Sequence, residues 1–125
     1  MIEQILSKDA STGVGPYSQA VKANGFIFVS GQLGIDPKVG SIIPGGTEAE
    51  MYQAIENIDR ILRAAGSGWH RVVKVNLYLA DLADYERTNE IYTVKLGTVP
   101  PARSTIEAAS LPAGARVEID AIALA

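Results

Sequence analysis

The chain has 125 residues, 47% of them hydrophobic and 20% charged, with no cysteine and a single histidine, His70. Disulfides, thiolate catalysis, iron–sulfur clusters and cysteine zinc sites are thereby excluded, as is a His-pair metal site within one chain. Eleven basic against 14 acidic residues leave a formal charge of −3, which argues against a nucleic-acid binder, whose affinity rests on a basic surface. No apolar run approaches the ~20 residues that span a bilayer. The opening MIEQILSKDAST has no basic stretch ahead of an apolar one, so no signal peptide is expected and the cytoplasm is the expected setting.

In chain order, Phe26-Ile27-Phe28-Val29-Ser30 is aromatic and β-branched between Gly25 and Gly31, which predicts a strand. A looser strand or bend follows through Leu33 and Ile35. Asp36 to Gly46, with two prolines and three glycines, reads as loop. Thr47-x-x-Glu50 has the form of a capping box, in which two orphan backbone donors are satisfied reciprocally. Met51, Ile55, Ile58, Leu62 and Ala65 then recur at helical steps on one face, and Gly66 stands where a left-handed residue ends a helix. Val72 to Ala80 predicts a strand with Val73, Val75, Leu77 and Leu79 on one face and Lys74, Asn76 and Tyr78 on the other. Asp81 and Asp84 open a second helix running to about Leu96, which Gly97 and Pro100-Pro101 stop. Arg103 to Ala109 and Arg116 to Leu124 predict two closing strands joined as a hairpin through Ser110–Gly114, the last with Val117, Ile119, Ala121 and Ala123 on one face. The order β, β, α, β, α, β, β predicts an α+β sandwich, one sheet with both helices on one face. The other face of the last strand holds Glu118 and Asp120 but also Ile122 and Leu124, a half-apolar pattern that suggests burial against another subunit.

Several polar residues carry the functional question. Neither Gly13-Val14-Gly15 nor Gly66-Ser67-Gly68 continues as a dinucleotide fingerprint, and His70 behind Trp69 reads as a surface or packed histidine. Asn89 shares a stripe with Tyr85, Tyr92 and Leu96, where its amide needs partners, in a helix–sheet hydrogen bond or in a ligand. Ser30 precedes Gly31-Gln32, either simple strand termination or bare backbone that a ligand approaches. Arg103 presents a planar fork suited to a carboxylate. It pairs with Glu118, Asp120 or Glu107 in the sheet, or it binds an anionic ligand. Glu118 lies among apolar neighbours, where an unpaired charge is costly. The register of the closing strands decides whether Arg103 and Glu118 share a face.

The stretch PARSTIEAASLPAGARVEIDAIA resembles the signature of the RidA family, also called YjgF-type reactive-intermediate deaminases. GPYSQAV at 15–21, FVSGQLGIDPKVG at 28–40, TEAEMYQAIENIDRILRAAG at 47–66 and VVKVNLYLADLADYERTNEIY at 72–92 resemble further family blocks, in order and at similar spacing. The resemblance covers nearly the whole chain and implies one domain over residues 1–125, of chorismate-mutase-like α+β fold. It implies a homotrimer with sites in the clefts between subunits. The implied reaction is hydrolysis of 2-imino or 2-enamino acids such as 2-aminoacrylate, by-products of pyridoxal-phosphate enzymes, to 2-keto acids and ammonia, with no cofactor or metal.

By position, the resemblance assigns Arg103 to the substrate carboxylate, Glu118 to positioning or activating water, and Tyr17 to the lining of the site. Ser30 and Gly31 match the strand–turn pair beside the ligand, and Asn89 the helix asparagine. Thr105 stands where many members have cysteine, and Lys95-Leu96 where many carry an aromatic pair. A sensor that holds a 2-keto acid without turnover is the main alternative. A ribonuclease or translation inhibitor, and a regulatory partner of another enzyme, are the others.

Overall fold

Alternation in the last strand sets the architecture, because successive strand residues point to opposite faces. Val117, Ile119, Ala121 and Ala123 are buried, while Glu118, Asp120 and Ile122 face the other way, half-exposed. A computed structural model of the chain describes residues 1–13 and 15–125; Val14, in the Gly13-Val14-Gly15 step, lies outside them. The strands are β1 (Glu3–Ile5), β2 (Ala20–Ala23), β3 (Phe26–Leu33), β4 (Ile35–Asp36), β5 (Ser41–Ile42), β6 (Val72–Leu79), β7 (Ala102–Glu107) and β8 (Val117–Leu124). The helices are α1 (Gly46–Ala64) and α2 (Tyr85–Thr93). The main sheet has the order β1-β2-β3-β8-β6-β7, with β7 parallel to β6 and the other neighbours antiparallel; β4 and β5 form a small separate ribbon. One mixed sheet with two helices is the expected α+β class. Met51, Ile55, Ile58 and Leu62 of α1 and Ile91 of α2 share one core with Ile27, Val75, Leu77 and Ile119 of the sheet.

The closing hairpin does not form. β8 is inserted between β3 and β6, and β7 is the edge strand beyond β6. The burial patterns explain the choice: β8 buries every second side chain, whereas β7 buries none fully and suits an edge. Because α2 carries the chain back over the sheet, β7 returns parallel to β6, as a helical crossover allows. Two short N-terminal strands, β1 and β2, extend the sheet beyond β3 and had no counterpart in the expected order.

The expected capping box is also replaced. Gly45 and Gly46, both at positive φ (119° and 78°), lead into α1, and no side chain caps its N-terminus. Thr47 instead donates its hydroxyl to Asp84 Oδ2 (2.9 Å) and accepts from Arg116 Nε (2.7 Å), while Glu50 Oε1 accepts the Arg116 backbone N–H (2.8 Å). These groups serve a tertiary clamp that ties α1 to the start of β8. The other end of α1 follows expectation: Gly66 (φ 81°) donates to the Arg63 carbonyl and Ser67 to that of Leu62, a Schellman closure. In β6 a register shift between Val72 and Lys74 turns Val72 inward and leaves Val73 38% exposed, so Val73 is not on the core face. α2 ends at Thr93, a few residues early, with the chain continuing in turns to Leu96.

Asn57 anchors the segment that leads into the site. Fully buried in α1, it donates Nδ2 to the carbonyls of Leu33 (3.3 Å) and Ile35 (2.9 Å), and its Oδ1 accepts from Gln53 (2.9 Å). Between those carbonyls, Gly34 passes so near α1 that a Cβ there would lie 2.5 Å from Glu50 Cα. Asn57→Ala removes the buried amide that bridges α1 to the Leu33 and Ile35 carbonyls and is expected to cost about 1–3 kcal/mol. Urea unfolding checks this: the midpoint falls while the slope is kept.

Candidate functional site

β3 builds the first part of the site by breaking its own ladder. Val29 pairs with Ala121 and Gln32 with Ile119, so one extra residue is accommodated at Ser30-Gly31. Bulges of this kind re-aim side chains beside functional sites. The Ser30 hydroxyl donates to the Ser18 carbonyl (2.7 Å) and its N–H to that of Gln19 (2.9 Å), which fixes the segment carrying Tyr17. Gln19, itself buried, bonds back to Ser7 and Ser11 and steadies the same segment. The result is a cleft of about 370 Å³ whose lining includes Tyr17, Ser30, Gly31, Pro112 and Glu118.

Glu118 brings a carboxyl into this cleft. Partial burial, and then the charge of Asp120, push its carboxyl above the usual glutamate range. Among the described residues no donor bonds it and no cation pairs with it. Gly31 makes room for it, since a Cβ there would collide with Glu118 Oε2. Gly13 does the same for Tyr17, whose hydroxyl occupies the space that a Gly13 side chain would fill.

A second cluster lies on β7 and α2. Arg103 Nη2 donates to Asn89 Oδ1 (2.7 Å) and to the Tyr85 hydroxyl (3.3 Å). Its guanidinium carbon lies 4.8 Å from the centre of the Tyr92 ring and 5.7 Å from that of Tyr85. Cation–π attraction and the Asn89 bond hold the fork in place. Among the described residues no carboxylate pairs with Arg103 and only Nη2 is bonded. Two residues along, Thr105 faces the same side with its hydroxyl buried and unpartnered among the described residues. Tyr92 is buried and packs edge-on against Trp69; that burial raises its hydroxyl pKa, opposed by the Arg103 charge.

The seven residues singled out in the sequence thus form two groups. Tyr17, Ser30, Gly31 and Glu118 share the cleft; Arg103, Asn89 and Thr105 share the β7–α2 shelf. Register settles their relation: Arg103 lies beside buried Val75, on the helix side, and Glu118 beside Tyr78, on the open side. Arg103 and Glu118 therefore occupy opposite faces, and the sheet ion pair between them does not form. Asn89 makes the helix–sheet hydrogen bond, with Arg103 as partner. Tyr85 and Tyr92 were visible as a stripe with Asn89, but their seat under Arg103 was not, because β7 is distant in sequence. Pro112 was missed for the same reason as the hairpin. Among the described residues no three acidic or histidine side chains converge as a metal site requires, and no helix is long and apolar enough to cross a membrane.

Residues 7–125 match the family model described as Endoribonuclease L-PSP. The chain is 44% identical over 123 residues to a RutC family protein of Pyrococcus horikoshii, covering 98% of each chain. It is 44% identical over 125 residues to the 2-iminobutanoate/2-iminopropanoate deaminase of Mus musculus, covering 99% of this chain and 93% of the relative. A crystal structure of a Rid family protein of unknown function from Yersinia pestis superposes with a TM-score of 0.97 at 37% identity, covering 100% of both chains.

Gly31→Ala offers a direct check of the cleft. The group in the way is the far end of a flexible side chain, so the Glu118 carboxyl is expected to swing out by more than about 1 Å, enough to disable positioned chemistry. A crystal structure of the variant should show the displaced carboxyl with β3–β8 pairing kept.

Proposed function

The chain belongs to the RidA family, described also as Endoribonuclease L-PSP, and from that premise we propose that it hydrolyses 2-imino and 2-enamino acids to 2-keto acids and ammonia. One observation carries the reading: Arg103 is held over Tyr92 with Nε and Nη1 unbonded and no carboxylate partner among the described residues. A planar fork left open in this way suits the carboxylate of a small 2-imino acid. Relatives named 2-iminobutanoate/2-iminopropanoate deaminase support the same chemistry. The ribonuclease reading is weakened by a net charge of −3, since a polyanion calls for a basic surface.

In this reading the complete site lies between copies of the chain in a homotrimer of chorismate-mutase-like fold. Two facts support it. Arg103 and Glu118 sit on opposite faces of one sheet, and the open face carries exposed Phe26, Phe28, Val73, Ile106 and Leu124. Apolar area of this kind in water favours a partner. The setting is the cytoplasm, which the absence of cysteine fits.

The mechanism follows from the groups present. An enamine substrate first tautomerises to the imine. Its carboxylate docks on Arg103 through two charge-assisted hydrogen bonds, with the Thr105 hydroxyl free for a further one. Glu118 of a neighbouring copy takes a proton from water as the oxygen adds to the C=N carbon, and that proton passes to the nitrogen, giving the carbinolamine. The carbinolamine then collapses to the keto acid: its hydroxyl proton moves by way of Glu118 to the nitrogen, which leaves with the C–N bond electrons as ammonia. Tyr17 and Pro112 limit the space around the imine. Such imines already hydrolyse in water, so positioning and one general base, the base worth roughly 10²–10⁴-fold, account for the acceleration.

A coupled assay tests this. An amino-acid oxidase or a serine/threonine dehydratase supplies the imine, and semicarbazide traps what survives. Wild type should speed imine loss, and Arg103→Ala should fall to the uncatalysed rate. Arg103→Lys should remain poor because the fork is lost. Glu118→Gln should drop about a hundredfold or more. A 2-keto acid bound at Arg103 with no acceleration for any imine would favour the sensor instead.

A further inference from the structure

Asp120 stands two residues from Glu118 on the same strand face, yet their surroundings differ. Asp120 Oδ1 accepts from Asn76 Nδ2 (2.9 Å) and its Oδ2 from the Tyr78 hydroxyl (3.1 Å). Both donors come from β6, where Asn76 pairs with Asp120 and Tyr78 with Glu118. Tyr78 thus stands opposite Glu118 but donates its hydrogen bond to Asp120. One carboxyl has two donors; its neighbour has none among the described residues.

Two nearby carboxyls in unequal surroundings separate into a fixed charge and a proton carrier. Two hydrogen bonds hold the Asp120 carboxylate in one place beside Glu118. We propose that Asp120 is a positioning residue for the reaction: anchored by Asn76 and Tyr78, its fixed charge tunes Glu118 as the base of the site. The proposal rests on the deaminase reading for what Glu118 does, and on geometry for how it is tuned.

The groups facing Glu118 are few. Asp120 lies along β8, Tyr78 across on β6, and Tyr17 across the cleft, while β3 lines its side with Ser30, Gly31, Gln32 and Leu33, none of them charged or titratable. No cation pairs with Glu118 or Asp120 among the described residues. The direction of the effects agrees. Burial and then the Asp120 charge raise the Glu118 pKa, and the same two causes, burial first, raise that of Tyr78 and keep it a donor. The sign is then set: a base raised in this way accepts protons more readily, and the acid limb of the rate profile lies higher than an ordinary glutamate would place it.

The experiment compares wild type with Asp120→Asn by carboxyl carbon NMR of glutamate- and aspartate-labelled protein and by kcat/KM against pH on the trapped-imine assay. Sedimentation confirms that both have the same assembly. Asp120→Asn is expected to lower the Glu118 midpoint and to move the acid limb to lower pH with it. The plateau should fall much less than the roughly 10²–10⁴-fold that loss of a general base costs. An unmoved Glu118 midpoint overturns the inference, and so does a midpoint that moves while the acid limb stays. If the midpoint moves but wild type accelerates no imine, the deaminase reading fails while the coupling of the two carboxyls stands. Should Asp120→Asn not fold, Asp120→Ser takes its place: the Glu118 midpoint is again expected to fall, and an unmoved midpoint refutes the proposal.

Discussion

Side chains of a strand alternate between two faces, and the pleat of β8 and β7 decides what this protein holds together and what it keeps apart. On β8 the small and branched residues Val117, Ile119, Ala121 and Ala123 meet the helices, which sends Glu118 and Asp120 to the open side. On the parallel edge strand β7, Arg103 and Thr105 fall on the helix side, which brings Arg103 to Asn89 and Tyr92. A shift of one residue in either strand would exchange these faces. The Arg116 clamp onto Thr47, Glu50 and Asp84 ties the start of β8 to α1, and the bulge at Ser30-Gly31 fits β3 around the Glu118 carboxyl.

Both charged groups are held short of full satisfaction. Arg103 has a tyrosine face and an amide oxygen in place of a counter-anion; Glu118 has a glycine notch in place of a donor. A structural role for either would favour an ion pair, and among the described residues neither has one. Unmet capacity of this kind at two preformed places is what a ligand with one carboxylate and one electrophilic carbon can use. The faces on which they lie make a second copy of the chain part of the proposed chemistry, and the apolar residues beside Glu118 and Asp120 fit that role.

Much of the fold was legible because its signals are local. The helical stripe from Met51 to Leu62, the Gly66 stop and the alternation of β8 each follow from a few neighbouring residues. The parts that were not legible depend on distant partners. Thr47 and Glu50 form a good capping box in isolation, but Arg116, 66 residues beyond Glu50, takes their oxygens. The short loop before β8 reads as a hairpin until the competition between β3, β6 and β7 for that strand is weighed. A single bulge exchanged Val72 for Val73, and nothing in the run of valines marks it. In the site, Arg103 and Glu118 were legible from their chemistry and the family resemblance. The Asp120 anchor was not, because its donors Asn76 and Tyr78 reach it only through the β6–β8 register.

The central claim is that one chain carries two half-sites that only neighbouring copies complete. Subunit mixing tests it most directly. Arg103→Ala and Glu118→Gln proteins, each inactive alone, are unfolded together in equal amounts, refolded and assayed for imine loss. In a cyclic trimer every mixed assembly contains one intact site, so random mixing restores about a quarter of wild-type activity. Activity no greater than the sum of the two separate variants, in assemblies shown to be mixed, would place Arg103 and Glu118 in different functions and contradict the account.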